Sequence, residues 1–161
     1  SCLRYAVGFA ADFDQHFADG TTAVFSGLPG TGKSHLATAI CQSVIKSGAT
    51  AMYANALDLI RMVRSTWRRD AETTESQVMA TLADVDLLVI DEVGAQYGTE
   101  GEQVILFDVI NRRYQEQRPM ILLTNHGKEG FKQYLGDRAF DRLREAGKWL
   151  AFDWPSYRGR A

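Results

Sequence analysis

Residues 22–46 read TAVFSGLPGTGKSHLATAICQSVIK, and this stretch decides the fold. It begins with an apolar run (22–26), continues with a glycine-rich segment (27–34) and ends in an amphipathic helical pattern up to Lys46. The middle segment matches the phosphate-binding pattern G-x-x-x-x-G-K-[ST]. A strand, a loop and a helix in this order predict that backbone amides and the positive end of the helix together bind phosphate groups.

The loop is expected to hold ATP or ADP together with Mg²⁺. Lys33 supplies a full positive charge to the β- and γ-phosphates, and the Ser34 hydroxyl is a ligand of the magnesium ion. A glycine-rich turn without a ligand is the alternative, and the strand, the Lys-Ser pair and the helix around it argue against that alternative. The predicted nucleotide-binding residues are Gly27, Leu28, Pro29, Gly30, Thr31, Gly32, Lys33, Ser34 and His35.

The rest of the chain alternates short apolar runs with longer helical patterns, which predicts an α/β fold with a parallel sheet. Five strands are expected, with helices crossing over between them. The predicted strands are 22–26, 51–55, 86–90, 120–124 and 149–152. The predicted helices are 3–17, 33–46, 56–69, 74–83, 101–117 and 128–146, the last broken near Gly136. The first helical pattern has neither a cap nor an initiator Met before it, so we expect that a natural N-terminal part is missing.

Composition limits what the protein can bind. The chain has 161 residues, enough for one domain, and 45% of them are hydrophobic. Its formal net charge is −2, so any binding of nucleic acid must come from a local basic surface. The longest apolar runs are far shorter than the ~20 residues that a bilayer requires, so we expect no membrane partner and a cytoplasmic location. Cys2 and Cys41 fit no metal-binding spacing and are expected to be free thiols.

An acidic pair follows the third predicted strand. Residues 87–92 read LLVIDE, an apolar run that ends in two carboxylates. Asp91 is predicted to hold the hydrated Mg²⁺ opposite Ser34. Glu92 is predicted to orient and polarise the attacking water. Acidic pairs after strands also occur by chance, but this one follows a phosphate-binding loop at a suitable distance.

The fourth predicted strand also ends in polar residues. Residues 122–125 read LLTN, and Asn125 is expected beside the γ-phosphate, where its amide can hold the lytic water. This corresponds to the position called sensor 1 in AAA+ ATPases. An Asx turn at the end of the strand is the structural alternative.

Two groups of arginines each allow two interpretations. Arg138 and Arg142 lie one helical turn apart and can reach the γ-phosphate bound by a neighbouring subunit. Spacing alone favours a solvated face on which Asp137 and Asp141 balance their charges. Arg61, Arg64 and Arg68 share one face of the predicted helix 56–69, with Trp67 beside them. Arginines with an aromatic residue suit single-stranded nucleic acid, whereas spacing alone favours a solvated face and a tryptophan in the core.

Over nearly its whole length, the sequence resembles the AAA+ domain of the DnaC family of bacterial and phage helicase loaders. The loop and the Asp-Glu pair are generic to the superfamily. The helix-rich insertion after the second strand, the DRLR segment and the terminal W-x-S-Y-R are more specific. The segments that carry the resemblance are GLPGTGKSHLATAIC (27–41), STWRR (65–69), VDLLVIDEVG (85–94), ILLTNH (121–126), LGDRAFDRLR (135–144) and FDWPSYR (152–158).

The resemblance implies a P-loop NTPase of the AAA+ class. Its fold would have three αβα layers, a five-stranded parallel sheet in the order 5-1-4-3-2 and no C-terminal lid domain. Such loaders bind ATP and single-stranded DNA, deliver a hexameric replicative helicase, and assemble on ATP as open spirals with nucleotide between subunits. Arg142, with Arg138 second, matches the arginine that completes the neighbour's site. The resemblance also implies that the insertion after the second strand lines a channel for DNA. Its candidate DNA-binding residues are Arg61, Arg64, Trp67, Arg68 and Arg69.

The resemblance also implies that residues 1–161 are the ATPase domain alone, without the N-terminal domain that binds the helicase. A related interpretation is the IstB-type helper ATPase of transposons, which acts on duplex DNA and a transposase. A small P-loop kinase is a third, although Glu92 directly after Asp91 suits activation of water. A binding module with a vestigial ATPase is a fourth, and the intact Lys33 and Ser34 argue against it.

Overall fold

Strands and helices alternate along the chain in the structure, a computed structural model that describes residues 1–95 and 98–157. The strands are β1 (Thr22–Gly27), β2 (Ala51–Asn55), β3 (Leu87–Asp91), β4 (Met120–Thr124) and β5 (Gly147–Phe152). The helices are α1 (Cys2–Ala11), α2 (Phe13–Asp19), α3 (Lys33–Lys46), α4 (Ala56–Ser65), α5 (Glu75–Asp84), α6 (Glu100–Gln115), α7 (Lys128–Leu135) and α8 (Asp137–Ala146). Among the described residues, none of the helices combines the length and apolar character of a membrane span.

The sheet is parallel throughout, and its order is β2-β3-β4-β1-β5. At the carboxyl end of β1, Ser26 pairs with Thr124 of β4 and with Ala151 of β5. On the other half of the sheet, Asn55 of β2 pairs with Asp91 of β3. Ligands of open α/β sheets bind at this carboxyl edge, so the register brings the predicted site residues to one place. The predicted α/β class and strand order are confirmed.

Helices cover both faces of the sheet and make the three-layer arrangement. Successive strand residues point to opposite faces, so Phe25 and Leu123 pack with α1 and α3, whereas Val24 and Leu122 pack with the α4–α8 side. Strands β1, β3 and β4 are therefore buried on both faces, which explains why they read as continuous apolar runs.

Two predicted helices differ from the structure. The predicted helix 3–17 is broken at Asp12, whose φ of −110° and ψ of 37° are not helical. The expectation of an uncapped start is also wrong, because the Ser1 side chain accepts a hydrogen bond from the Arg4 amide and caps α1. The predicted helix 56–69 ends at Ser65, because the hydroxyls of Ser65 and Thr66 donate to the carbonyls of the preceding turn.

A buried guanidinium ties the far end of the sheet to the helices. Arg113, near the end of α6, has no exposed surface. Its Nη1 donates to the carbonyls of Leu82, Ala83 and Val85, at 2.7, 3.2 and 2.9 Å. Its Nη2 donates to the carbonyls of Asp86 and Pro119, at 3.3 and 2.6 Å. Burial lowers the pKa of Arg113 to about 10, so the group stays charged at neutral pH and these are charge-assisted hydrogen bonds.

We expect Arg113→Met to lower the free energy of unfolding by about 3–4 kcal/mol, since buried carbonyls at the end of α5 and the starts of β3 and β4 lose their donors. Urea denaturation measures this loss. The control is Arg112→Met, which removes a surface ion pair with Glu116 (3.2 Å) and should cost no more than about 0.5 kcal/mol. If the two variants lost the same free energy of unfolding, the stabilising role of the Arg113 hydrogen bonds would be contradicted.

Candidate functional site

The loop between β1 and α3 curls around its own lysine. Gly30 and Gly32 have φ values of 79° and 94°, the left-handed region that favours glycine. The Lys33 ammonium donates to the carbonyls of Gly27 (2.6 Å) and Leu28 (2.9 Å), and it is only 7% exposed. Among the described residues, no side chain caps the N-terminus of α3, so this end of the helix is left for an external anion.

A cavity of about 540 Å³ opens over this loop, a size typical of small-ligand sites. The residues that line it come from the loop, from the ends of β3 and β4, and from the segment after β5. They are Pro29, Gly30, Gly32, Lys33, Ser34, His35, Asp91, Glu92, Thr124, Asn125 and Tyr157. The predicted loop residues Gly27, Leu28 and Thr31 lie outside the lining. They hold the loop in shape, because the first two accept from Lys33 and the Thr31 hydroxyl donates to the Leu28 carbonyl at 2.8 Å.

The two predicted magnesium ligands are in direct contact. Ser34 Oγ donates to Asp91 Oδ2 at 2.8 Å, and Asp91 Oδ1 accepts from the Glu92 amide at 2.6 Å. Oδ2 also accepts from the Tyr53 hydroxyl of β2. Burial raises the pKa of Tyr53 well above its ordinary value, which keeps this hydroxyl a donor. A hydroxyl and a carboxylate beside a phosphate-binding loop fit Mg²⁺, which takes few protein oxygens and completes its shell with water and phosphate.

Glu92 is held in an unusual conformation at the edge of the cavity. Its φ of 55° is rare for a residue other than glycine. Its carboxylate accepts a hydrogen bond from the Asn55 side-chain amide. The side-chain oxygen of Asn55, Oδ1, accepts a hydrogen bond from the Leu57 backbone amide at 2.9 Å and caps α4. One side chain therefore joins the candidate catalytic carboxylate to the start of the helix that carries Arg61 and Arg64.

The sequence alone did not point to Tyr53 or Asn55. Both belong to β2, and their contacts with β3 become visible only when the register of the sheet is known. A weak signal was available, since Asn55 is the last residue of β2 and Asn125 directly follows β4. Asn125 itself lines the cavity, and its contact with the γ-phosphate stays a prediction.

The turn that carries Asn125 is fixed on two sides. The Ser26 hydroxyl at the end of β1 donates to the His126 carbonyl at 2.7 Å. The His126 ring lies 2.8 Å from the Gly94 carbonyl in the loop after β3. His126 thus has a structural role, because its ring joins the loops that carry Glu92 and Asn125.

Arg138 and Arg142, the arginines of α8, do not line the cavity of their own chain. Arg142 lies over the ring of Tyr114, 4.9 Å from its centroid, and 4.0 Å from Glu145. The predicted balance of charges is wrong in its partners. Asp141 pairs with Arg144 at 3.6 Å, and Asp137 pairs with Lys132 at 3.3 Å.

The predicted basic stripe is divided in the structure. Arg61 and Arg64 lie on α4, whereas Trp67, Arg68 and Arg69 follow the helix in a turn and do not share its face. Trp67 is not a core residue: it is 60% exposed, and its indole N–H donates to the Glu75 carboxylate at 2.5 Å.

The basic side chains of this segment differ in their partners. Arg61 pairs with Asp58 at 3.4 Å, and Arg68 pairs with Asp70 at 3.3 Å. Arg64 and Arg69 have no ion-pair partner within residues 1–95 and 98–157. Their charges are therefore available to an anionic partner.

Comparisons with known proteins bear on what this cavity binds. The family described as IstB-like ATP binding protein matches residues 15–160. The replicative helicase loader DnaC of Escherichia coli K12 is 38% identical over 161 residues, which is 99% of this chain and 64% of that protein. The uncharacterized protein YdaV of the same strain is 37% identical over 157 residues, covering 96% of this chain and 62% of YdaV. The chain thus spans less than two thirds of the length of these relatives.

Solved structures share the fold. The crystal structure of the DnaC helicase loader matches with a TM-score of 0.81 at 22% identity, covering 93% of this chain and 87% of the other. AMPPCP-bound DnaA from Aquifex aeolicus matches with a TM-score of 0.72 at 24% identity, covering 81% and 40%. These likenesses confirm the predicted AAA+ fold, and the DnaC relatives confirm the resemblance; Arg158, the last residue of the W-x-S-Y-R segment, lies outside the described residues. The chain belongs to the family of IstB-like ATP-binding proteins.

Proposed function

We propose that the protein binds and hydrolyses ATP with Mg²⁺ and serves as an ATP-dependent assembly switch that loads a replicative helicase onto single-stranded DNA. The observation that carries the ATPase is the contact between Ser34 and Asp91, with Glu92 and Asn125 in the same cavity. The DnaC relatives support the loading role, and a DnaA of the same fold, bound to AMPPCP and single-stranded DNA, supports the choice of DNA. No residue of this chain is assigned to contact with the helicase.

Each side chain of the site has one task in this proposal. Lys33 and the amides at the start of α3 bind the phosphates, while Ser34 and Asp91 hold Mg²⁺, which neutralises charge on the phosphate oxygens. Glu92 accepts a proton from the attacking water, and Asn125 fixes the position of that water. One carboxylate oxygen of Glu92 is already bonded to Asn55, so the other is left for the water.

Removing the base should separate hydrolysis from binding. We expect Glu92→Gln to lower ATP turnover by about 10²–10⁴-fold, because the amide cannot accept the proton. Affinity for MgATP should stay within about threefold, since no phosphate or metal contact is assigned to Glu92. Phosphate release and equilibrium ATP binding measure the two effects. The control is Glu129→Gln, on α7 away from the cavity. If Glu92→Gln hydrolysed ATP as fast as the wild type, Glu92 would not be the base.

Turnover is also expected to depend on assembly. An arginine supplied by a neighbouring subunit contributes about 10³–10⁵ in rate, so the isolated domain should be slow and should accelerate with protein concentration. Arg142→Ala is expected to abolish this acceleration and leave the slow rate at low concentration unchanged. Arg144→Ala, on the same helix and paired with Asp141, is the control. A fast turnover that is independent of protein concentration and unaffected by Arg142→Ala would refute the proposal that Arg142 acts on a neighbouring subunit. If Arg138→Ala alone abolished the acceleration, Arg138 would be the arginine that completes the neighbour's site.

Binding of single-stranded DNA is assigned to the segment from Arg61 to Arg69. Repetition of this segment along a spiral of subunits would add up the few phosphate contacts that each copy can make. Arg64 and Arg69 have no ion-pair partner in the part of the chain that the structure describes, and the exposed ring of Trp67 is available for stacking with a base.

We therefore expect the double variant Arg64→Ala, Arg69→Ala to weaken binding to single-stranded DNA. The negative slope of log affinity against log salt should become shallower by about 1.4, or 0.7 for each lost phosphate contact. Titration of a fluorescent oligonucleotide at several salt concentrations measures both quantities. Arg112→Ala combined with Arg144→Ala, on α6 and α8, is the matched loss of two charges elsewhere. If the double variant kept the affinity and slope of the wild type, the DNA-binding assignment would be wrong.

The description of the family supports a second candidate function, that of an IstB-type transposition helper that acts on duplex DNA. The two roles share the ATPase chemistry and differ in the nucleic acid. Competition between single-stranded and duplex oligonucleotides of the same sequence, with ATP present, separates them: preference for the duplex favours the transposition helper.

A further inference from the structure

The segment after β5 folds back onto the phosphate-binding loop. The Trp154 indole N–H donates to the Thr31 carbonyl at 3.0 Å, and the Tyr157 backbone N–H donates to the Gly30 carbonyl at 2.9 Å. Both acceptors lie in the middle of the loop. The conformation of residues 154–157, here called the C-terminal strap, is therefore tied to that of the loop.

The strap is also anchored to the core. The ring of Trp154 lies 5.0 Å from that of Phe152, which lies 5.2 Å from Phe25 of β1. Where the loop begins, the chain passes against β5 so closely that a Cβ on Gly27 would stand 2.3 Å from the Phe152 carbonyl oxygen. The strap and the loop thus rest on the same pair of strands, and Pro155 restricts the backbone between the two hydrogen bonds.

The strap brings an aromatic ring to the side of the cavity opposite the catalytic candidates. Glu92 and Asn125 follow β3 and β4, on one side of β1, whereas Tyr157 follows β5 on the other side. A nucleotide whose last phosphate faces Glu92 and Asn125 extends its ribose and base away from them. Tyr157, which as a residue is 58% exposed, lines that end of the cavity.

We propose that the C-terminal strap is the base-side wall of the nucleotide site. Tyr157 contacts the planar base of the bound nucleoside triphosphate, and Trp154 holds the loop in its phosphate-binding form. This inference rests on the proposed binding of ATP. In this proposal Tyr157 contributes to binding of the nucleoside part of the ligand alone. Trp154 is a positioning residue, which affects binding of the phosphates through the loop.

The test compares MgATP with inorganic tripolyphosphate, each measured in competition with a fluorescent ATP analogue on the full chain. Stacking of one base on an aromatic side chain corresponds to at least about a fivefold change in affinity. Tyr157→Ala should lose that factor for ATP and keep the wild-type affinity for tripolyphosphate, while Tyr157→Phe should restore ATP binding. Trp154→Phe keeps an aromatic ring at this position and removes the N–H donor, so it should weaken the binding of both ligands. The control is Trp149→Phe, because Trp149 lies within β5 and packs against Phe131 of α7; this variant should change neither affinity.

The outcomes separate this inference from the proposed function. If the wild type bound ATP in a manner that Lys33→Ala abolished, and Tyr157→Ala bound it as tightly as the wild type, the strap would not be the base-side wall and the ATPase proposal would stand. An equal loss for ATP and tripolyphosphate in Tyr157→Ala would also overturn the base contact, since the ring would then act through the loop. A wild-type chain that bound neither ligand would refute the proposed function itself.

Discussion

Strand β1 has a strand on each side and a helical layer on each face, and the rest of the structure depends on this central position. Burial on both faces favours an apolar strand, and the two buried polar residues of β1, Thr22 and Ser26, stand near its two ends. The polar groups that a ligand can reach belong to the loop after β1, at the edge where β3 and β4 also end. The hydrogen bond between Ser34 and Asp91, 57 residues apart in sequence, is a consequence of that geometry. A bond of this kind contributes about 1 kcal/mol net, which is too little to have organised the sheet.

Local patterns were sufficient to predict the layers and most of the residues that line the cavity. Three local patterns each predict one element and the polar residues at its end. They are the glycine-rich loop, the apolar run before Asp91 and the apolar run before Asn125. The errors have local causes that compete with periodicity. Ser65 and Thr66 bond back to the preceding turn and end α4, which removes Arg68 from the face of Arg61 and Arg64. The contacts of Tyr53 and Asn55 depend on the pairing of β2 with β3, which no local pattern encodes.

Asn55 links two parts of the protein that the sequence presents separately. Its amide nitrogen binds Glu92, and its oxygen caps α4, so a movement of α4 and a release of the carboxylate cannot be independent. The left-handed backbone of Glu92 adds a cost of about 1–2 kcal/mol that the surrounding contacts must offset. A partner that binds along α4 would therefore act on the position of the proposed base through a single side chain.

The cavity formed by one chain is short of positive charge. Among its described lining residues, Lys33 is the permanently charged cation, and its ammonium also serves the carbonyls of Gly27 and Leu28. Phosphoryl transfer spreads negative charge over the oxygens of the γ-phosphate, and fixed cations are the usual means of stabilising it. Arg142, the arginine assigned to this task, lies over Tyr114 outside the cavity of its own chain. If a second copy supplies the missing positive charge, hydrolysis is confined to the assembled state. A chain outside the assembly then keeps its ATP bound without hydrolysing it.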